Sequence, residues 1–252
     1  MVKELNVEER LIVAADFKPS EYGRGRGVEK KLIDLVRDLH GTGVCIKVNS
    51  VLRFLGYELI DRLHDFGLRV FADLKLIDIP NTMATDGEFL NEIQPDILTV
   101  MACAGVNGMK AVQKEVGDHT EVLGVTVLTS FTEEESRDIF TCSTEAGVLR
   151  FAEMTQLAGL SGLILSPKEA EIVRSEFGLS LGLNTPGIRP EWSMVDGDDQ
   201  SRVLTPAKTI QAGADRIVLG RPITSAKNPR DAVKRTLDEI SKGLELINKT
   251  EE

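Results

Sequence analysis

Residues 71–82 read FADLKLIDIPNT, an apolar, strand-like run that acquires two acids and a lysine. Side chains alternate across a strand, so Asp73 and Lys75 are expected to share a face. Asp78 follows just beyond the strand, before Pro80 blocks further pairing. Neighbouring carboxylates favour the charged form of a lysine, which leaves a proton donor beside fixed negative charge. The stretch predicts this reactive array, with a structural ion pair at the end of a strand as the alternative.

The change from an apolar strand to an amphipathic helix recurs along the chain. Apolar runs predict eight strands, near residues 11–16, 44–49, 69–75, 97–102, 121–128, 162–166, 179–184 and 216–220. Helical patterns lie between and after them, at 28–39, 52–66, 82–93, 108–116, 144–158, 167–176, 206–212 and 229–247. Eight strand-and-helix units predict an α/β fold, a single (β/α)8 TIM barrel over residues 1–252. Its active site is expected at the C-terminal ends of the strands.

The second architecture that fits the alternation is a doubly wound open sheet. That fold binds dinucleotides at a glycine-rich turn after the first strand. Residues 23–27 read GRGRG and lack the G-x-G-x-x-G spacing of such a turn. We therefore favour the barrel and interpret 23–27 as a flexible loop rather than a phosphate-binding one.

Charge and hydropathy narrow the functional class. The formal net charge is −10 and the charges are scattered, so no basic stripe indicates nucleic acid or an anionic membrane surface. No apolar stretch approaches the roughly 18 residues of a membrane span, and residues 11–15 are too short for a signal peptide. Cys45, Cys103 and Cys142 show no C-x-x-C spacing and are interpreted as reduced. We expect a soluble, cytoplasmic protein.

Barrel strands that build an active site should carry polar residues at their C-terminal ends. Here these residues are Asp16 after strand one, Lys47 and Asn49 at strand two, Asp73 and Lys75 at strand three, Thr129 and Ser130 after strand five, and Gly220 and Arg221 after strand eight. A turn acid would explain Asp16 alone, and a surface lysine would explain Lys47 alone. Their convergence on one end of the barrel predicts a site.

Two segments near the last strands predict the capture of a phosphate. Arginine presents a fork of donors and glycine lets an oxyanion approach the backbone, so Gly220 and Arg221 suit a phosphate. A surface arginine in a tight turn is the alternative. Residues 186–202 form a long polar segment from Pro186 through Gln200. Such long loops are often lids, so we interpret 186–202 as a lid over the ligand, with a disordered loop as the alternative.

Several other chemistries lack support in the sequence. His40, His64 and His119 lie in or beside helical patterns or a loop, so neither a histidine metal cluster nor a Ser-His-Asp set is proposed. The sequence contains no P-loop and no complete dinucleotide motif. ATP, NAD and flavin chemistry therefore lack support in the sequence.

Four motifs carry a resemblance to a known family. They are DLKLIDIPNT at 73–82, TPGIR at 185–189, GDDQ at 197–200 and GRP at 220–222. With these motifs in family order, the chain resembles the orotidine 5′-phosphate decarboxylase family from Asp16 onward. The resemblance implies an enzyme that converts orotidine 5′-phosphate to UMP and CO₂ in de novo pyrimidine biosynthesis. It also implies a homodimeric barrel without cofactor or metal.

The resemblance implies roles for individual residues as well. Lys47, Asp73, Lys75 and Asp78 would form an alternating charge array. Lys75 would donate the proton to C6, and Asp78 would reach into the active site of the partner subunit. The substrate-binding residues would be Asp16 and Thr82 at the ribose and neighbouring groups, Ser130 at the pyrimidine amide, Gln200 and Arg221 at the phosphate, Gly220 in the phosphate loop and Pro186 in the lid.

The chain departs from the family pattern at two places. Ile77 stands where many relatives have histidine, and we expect this change to be neutral. The 23–27 segment matches no family role. Magnesium-dependent sugar-phosphate decarboxylases and hexulose-phosphate synthases share the D-x-K-x-x-D pattern, but they have an acid where this chain has Lys47.

Two further alternatives are a Schiff-base aldolase and a non-catalytic UMP-binding protein. A Schiff-base aldolase needs a free amine, which the acids around Lys75 disfavour. A non-catalytic UMP-binding protein would keep Arg221 and the lid but need not retain the whole charge array.

Overall fold

The computed structural model describes residues 4–23, 25–193 and 204–250. Within these ranges, eight parallel strands form a closed barrel in chain order. The strands are β1 (Leu11–Ala14), β2 (Cys45–Val48), β3 (Arg69–Leu76), β4 (Ile97–Met101), β5 (Glu121–Val125), β6 (Gly162–Ile164), β7 (Gly182–Pro186) and β8 (Arg216–Leu219). The predicted α/β class and (β/α)8 barrel are confirmed.

Twelve α-helices connect or follow these strands in the described residues. They are α1 (Pro19–Tyr22), α2 (Arg26–Leu39), α3 (Ser50–Leu55), α4 (Glu58–Asp65), α5 (Pro80–Ile93), α6 (Gly105–Val116), α7 (Glu133–Phe140), α8 (Thr144–Leu157), α9 (Ala170–Phe177), α10 (Pro206–Gln211), α11 (Arg221–Thr224) and α12 (Pro229–Thr250). None of the described helices has the length and apolar character needed to cross a membrane.

The helices differ from the sequence prediction in two informative places. The single helix predicted at 52–66 is divided into α3 and α4, because the chain turns at Gly56 with a positive φ of 89°. Helix α7 was not predicted. It begins with a capping box, in which the Thr132 hydroxyl accepts from the N–H of Glu135 and the Glu135 carboxylate accepts from the N–H of Thr132.

The chain divides into two compact units, and the first consists mainly of Leu74–Gly187 with Ala212–Asp215. Strands β4 to β7 lie in this unit and pair in parallel, with the partners Val100 and Gly124, Gly124 and Leu163, and Leu163 and Leu183. Arg174 on α9 fixes the 212–215 segment. Its guanidinium lies 2.7 Å from the Asp215 carboxylate and donates to the carbonyl of Gly213 at 2.7 Å.

The second unit consists mainly of Leu5–Asp73, Ile188–Gln211 and Arg216–Glu252. In it, β1 pairs with β2 and β8, and β2 pairs with β3. Helix α2 presents an apolar stripe at helical spacing, made of Val28, Leu32, Leu35, Val36 and Leu39, and all five side chains are buried. This packing supports the strands whose ends carry the candidate site.

The glycines at 23–27 include one that the packing requires. A Cβ atom at Gly27 would overlap the carbonyl oxygen of Tyr22, so no larger residue fits there. Glycine therefore lets the first turn of α2 approach the end of α1. The sequence prediction of a flexible loop had assigned no packing role to this position.

Candidate active site

A lysine ammonium lies between two carboxylates at the ends of β1, β2 and β3. The Nζ atom of Lys47 is 3.0 Å from each carboxylate oxygen of Asp16 and 3.0 Å from Oδ2 of Asp73. Lys47 and Asp73 are 7% and 6% exposed, whereas the side chain of Asp16 is 55% exposed. The structure therefore brings together three of the residues selected from the sequence. They form an ion cluster in which Lys47 and Asp73 are buried and Asp16 is exposed to solvent.

The register of the strands explains this cluster. Lys47 pairs with Ala14 on β1 and with Phe71 on β3. Asp16 and Asp73 each lie two residues beyond these partners, and two residues is the period with which side chains return to one face of a strand. The long side chain of Lys47 can therefore reach both acids. Asn49 adds a further contact, because its Nδ2 donates to Oδ2 of Asp73 at 3.3 Å.

The charge state of Lys47 follows from opposing effects. Burial by itself would lower the pKa of Lys47, but the charges of Asp73 and Asp16 and their hydrogen bonds outweigh it and raise the pKa above the ordinary 10.5. Lys47 is therefore a cation at neutral pH. Because folding raises this pKa, the resulting stabilisation is complete below pH 10.5 and is lost as the pH rises through the folded-state pKa.

Lys75 has an unusual backbone. It lies half-buried near the end of β3 with a φ of 51°, in the left-handed region. This conformation costs a residue other than glycine about 1 kcal/mol, so the surrounding structure must hold it. The expectation that Asp73 and Lys75 share a face assumed a regular strand, and Lys75 departs from that geometry.

The structure adds Thr99, which the sequence analysis did not select. The N–H of Lys75 donates to Oγ1 of Thr99 at 3.0 Å, and Thr99 is fully buried on β4. The available signal was a hydroxyl in the otherwise apolar run ILTVM at 97–101. A polar side chain in a fully buried strand requires a partner, and here that partner is the backbone of Lys75.

Asp78, Thr82 and Ser130 lie at the surface. Asp78 follows β3, and its Oδ1 accepts from the N–H of Ile79 at 2.7 Å. Thr82 lies in the first turn of α5, and Ser130 lies between β5 and α7. Burial and the charge of Asp78 both raise the pKa of Asp86 on α5. Among the described residues, no hydrogen bond or ion pair joins Asp78, Thr82 and Ser130 to one another, so their convergence on a ligand stays a prediction.

The residues selected for phosphate binding are described in part. Gly220 follows β8, and the exposed Arg221 opens α11. Pro186 ends β7 and is half-buried. Residues 194–202 of the predicted lid, which include Gln200, lie outside the described residues. The assignment of these residues to phosphate binding therefore stays a prediction.

The described residues at 188–193 are anchored to α12. The N–H of Glu191 donates to the Glu239 carboxylate at 3.1 Å, and the Arg235 guanidinium carbon lies 4.7 Å from the ring centre of Trp192. Burial raises the pKa of Glu239. The C-terminal helix therefore fixes the chain just after β7. Among all the described residues, no three His, Cys, Asp or Glu side chains are grouped so that they could hold a metal ion.

Comparison with known proteins places the chain in a family. The sequence profile of the orotidine 5′-phosphate decarboxylase / HUMPS family matches residues 9–236. The chain belongs to this family. The orotidine 5′-phosphate decarboxylase of Syntrophomonas wolfei is 34% identical over 248 residues, which cover 94% of this chain and 99% of the relative. That of Syntrophus aciditrophicus is 38% identical over 247 residues and covers 94% of each chain.

Solved structures of family members have the same fold. Orotidine 5′-phosphate decarboxylase from Lactobacillus acidophilus matches with a TM-score of 0.76 and 29% identity, over 92% of this chain and 99% of that chain. The enzyme from Pyrococcus horikoshii OT3 matches with a TM-score of 0.71 and 25% identity, over 92% of this chain and 99% of the other. The family resemblance inferred from the four sequence motifs is confirmed.

The two acids beside Lys47 should contribute unequally to its pKa. Asp73 is buried whereas the Asp16 side chain is 55% exposed, so water screens the charge of Asp16 more strongly. Asp73→Asn should therefore lower the pKa of Lys47 more than the matched change Asp16→Asn. The measurement is a pH titration of the lysine ε-carbon by NMR. Equal shifts from the two variants would contradict the assigned electrostatics.

Proposed function

We propose that this protein is a carboxy-lyase that converts orotidine 5′-phosphate to UMP and CO₂ in de novo pyrimidine biosynthesis. The observation that carries the proposal is the buried Lys47 ammonium, 3.0 Å from Asp16 and from Asp73, in a chain of this family. The two relatives from Syntrophomonas wolfei and Syntrophus aciditrophicus bear the name of that enzyme.

The proposed chemistry is a substitution of carbon dioxide by a proton at C6. The bond between C6 and the carboxylate breaks, its electron pair stays on C6, and CO₂ leaves. The ring cannot delocalise this electron pair, so a preorganised cation must stabilise it. Lys75 supplies that cation and then transfers a proton from its ammonium to C6, which leaves the lysine as a neutral amine.

Asp73 on β3 and its partner Lys47 set the electrostatics of this step. Asp73 faces the departing carboxylate, and Lys47 supplies the countercharge that holds Asp73 in place at 3.0 Å. Repulsion between Asp73 and the substrate carboxylate favours the loss of CO₂. Because Lys47 occupies the space between the two acids, its ammonium supplies the countercharge that a metal ion would otherwise provide, and the proposed reaction uses neither a metal nor a cofactor.

Groups remote from C6 bind and orient the substrate. We assign the phosphate to Gly220, Arg221 and Gln200, with Pro186 in the lid. Asp16 and Thr82 contact the ribose side, and Ser130 contacts the pyrimidine amide. Binding energy from the phosphate and ribose can orient the ring over Lys75, so these contacts increase the rate of the chemical step as well as affinity.

We also propose that the active form is a homodimer in which Asp78 enters the partner's site. Asp78 is exposed, and its neighbours Ile77 and Ile79 are 57% and 65% exposed. Two exposed isoleucines around an acid suit a surface that a second subunit covers. Ile77, which departs from the common histidine of the family, then contributes apolar contact area.

The cysteines bear on the cellular compartment of the protein. Cys45, Cys103 and Cys142 are present as thiols, which supports a reducing compartment, and we propose the cytoplasm.

The magnesium-dependent sugar-phosphate reactions are not favoured, because the Lys47 cation lies where an oxygen ligand would be needed. A non-catalytic UMP-binding protein would not need Lys75 together with Asp73 and Asp78, so the presence of all three residues favours the enzyme.

The direct test is turnover by the purified protein. Addition to orotidine 5′-phosphate should remove the substrate's absorbance and release CO₂, at the same rate with and without EDTA, because Lys47 replaces a metal in the proposed mechanism. A well-folded preparation that leaves the substrate unchanged would refute the proposed function. Activity that disappears in EDTA and returns with Mg²⁺ would move the protein to the sugar-phosphate branch.

Two substitutions should separate chemistry from binding. Lys75→Ala should reduce kcat by at least about 10³-fold while UMP still binds, because only the proton donor is removed. Arg221→Ala should weaken UMP binding by about 2 kcal/mol, the usual loss for a charge-assisted hydrogen bond. Kinetics and calorimetry measure the two effects, and Arg37→Ala, at an exposed pair with Asp34, is the control. Unchanged UMP affinity in Arg221→Ala would show that the phosphate assignment is wrong.

Subunit exchange should test the shared site. A heterodimer of a Lys75→Ala chain and an Asp78→Asn chain has one site with both lesions and one with neither, so about half of its sites should be active. A heterodimer of wild type with a chain carrying both substitutions should be inactive, since each of its sites lacks one residue. The reverse pattern, with only the second heterodimer active, would mean that Asp78 acts within its own chain.

A further inference from the structure

Thr99 holds the backbone of Lys75 where β3 departs from regular strand geometry. The N–H of Lys75 donates to Oγ1 of Thr99 at 3.0 Å, between residues 24 positions apart in sequence. Thr99 is 0% exposed, so the close-packed core around β4 fixes the position of its hydroxyl. Lys75 has a φ of 51°, a conformation that persists in a lysine only where its surroundings impose it.

The backbone of Lys75 determines where its ammonium points. Successive side chains of a regular strand point to opposite faces, and a left-handed residue breaks that alternation. The ammonium lies at the end of a four-carbon chain, so a small rotation of the peptide moves it by a larger distance. A proton donor must lie within hydrogen-bond reach of the atom that it protonates, so this position affects the rate directly.

We propose that Thr99 is a positioning residue for Lys75, whose hydroxyl holds the Lys75 peptide so that the ammonium points at the reacting carbon. The inference rests on the proposed function, in which Lys75 protonates C6. Thr99 acts through Lys75 and does not itself need to contact the substrate. A threonine suits this role, because its branched side chain has few χ1 rotamers and its hydroxyl stays in one place.

A hydrogen bond that only stabilises the fold is the competing explanation, and the chain offers a matched case. Thr120 is 2% exposed, and its hydroxyl donates to the carbonyl of Pro95 at 2.7 Å. Thr120 immediately precedes β5, so it lies at the N-terminal end of that strand. Residues at this end of a barrel contribute to stability, whereas the active site lies at the opposite end. Thr120→Val should therefore lower Tm and leave kcat within about twofold of wild type.

The test compares Thr99→Val, which keeps the shape and removes the acceptor, with Thr99→Ser, which keeps the acceptor. For each variant and for Thr120→Val, we would measure kcat and KM with orotidine 5′-phosphate, UMP affinity, Tm and the φ of Lys75 in a crystal structure. Thr99→Val should lower kcat by about 10- to 100-fold with KM and UMP affinity nearly unchanged. Thr99→Ser should recover most of the rate, and Lys75 should leave the left-handed region only in Thr99→Val.

The outcomes distinguish this inference from the proposed function. An active wild type whose Thr99→Val variant keeps kcat within about twofold overturns the positioning role and leaves the proposed function standing. A φ that stays near 51° in Thr99→Val also overturns it, whatever the activity. A wild type without turnover instead refutes the proposed function. If Thr99→Val does not fold, Thr99→Ala removes the same acceptor without placing a methyl group against the Lys75 N–H, and it is judged by the same criteria.

Discussion

The ion cluster of Lys47, Asp16 and Asp73 is the constraint on which the rest of the site depends. Taking an ammonium out of water is costly, and burial acts against the charge of Lys47. Carboxylates at 3.0 Å offset that cost, and they come from two different strand ends. A shift of the end of β2 or β3 would separate the two buried charges, Lys47 and Asp73, and a shift of the end of β1 would remove the second carboxylate from Lys47. The cluster therefore fixes the ends of β1, β2 and β3 relative to one another, which is the precision that an active site needs.

The charged residues at the end of β3 and just after it become more exposed along the chain. Asp73 is 6% exposed, Lys75 is half-buried and Asp78 is exposed. Because charges interact more strongly where water is excluded, the buried acid is suited to act on the charge of a substrate. The exposed acid is instead available to a second molecule. One short segment thus offers groups for the proposed chemistry and for the proposed dimer, and the difference between their roles comes from depth rather than from residue type.

The existence of the strands could be predicted because parallel barrel strands are buried on both faces and are apolar along their length. Their ends were harder to place. Strand β7 was predicted from residue 179 but begins at Gly182, since the apolar pattern includes Leu179, which is 69% exposed. Helix α7 buries only Ser136, so hydrophobic periodicity could not detect it, and the capping box from Thr132 was the usable signal.

The same limit applies to the site. Features that depend on residue type and position in a strand could be predicted from the sequence, and features that depend on contacts between distant residues could not. The meeting of Asp16, Lys47 and Asp73 could be anticipated, because residue type and a place near a strand end are both visible in the sequence. The left-handed backbone of Lys75 could not, since its hydrogen bond to Thr99 joins residues 24 positions apart. A glycine at position 75 would adopt this conformation without strain, but it would carry no ammonium. Lys75 therefore adopts an unfavourable backbone conformation at a position where the proposed chemistry needs an ammonium. The buried hydroxyl of Thr99 on β4 accepts a hydrogen bond from its N–H and holds that conformation.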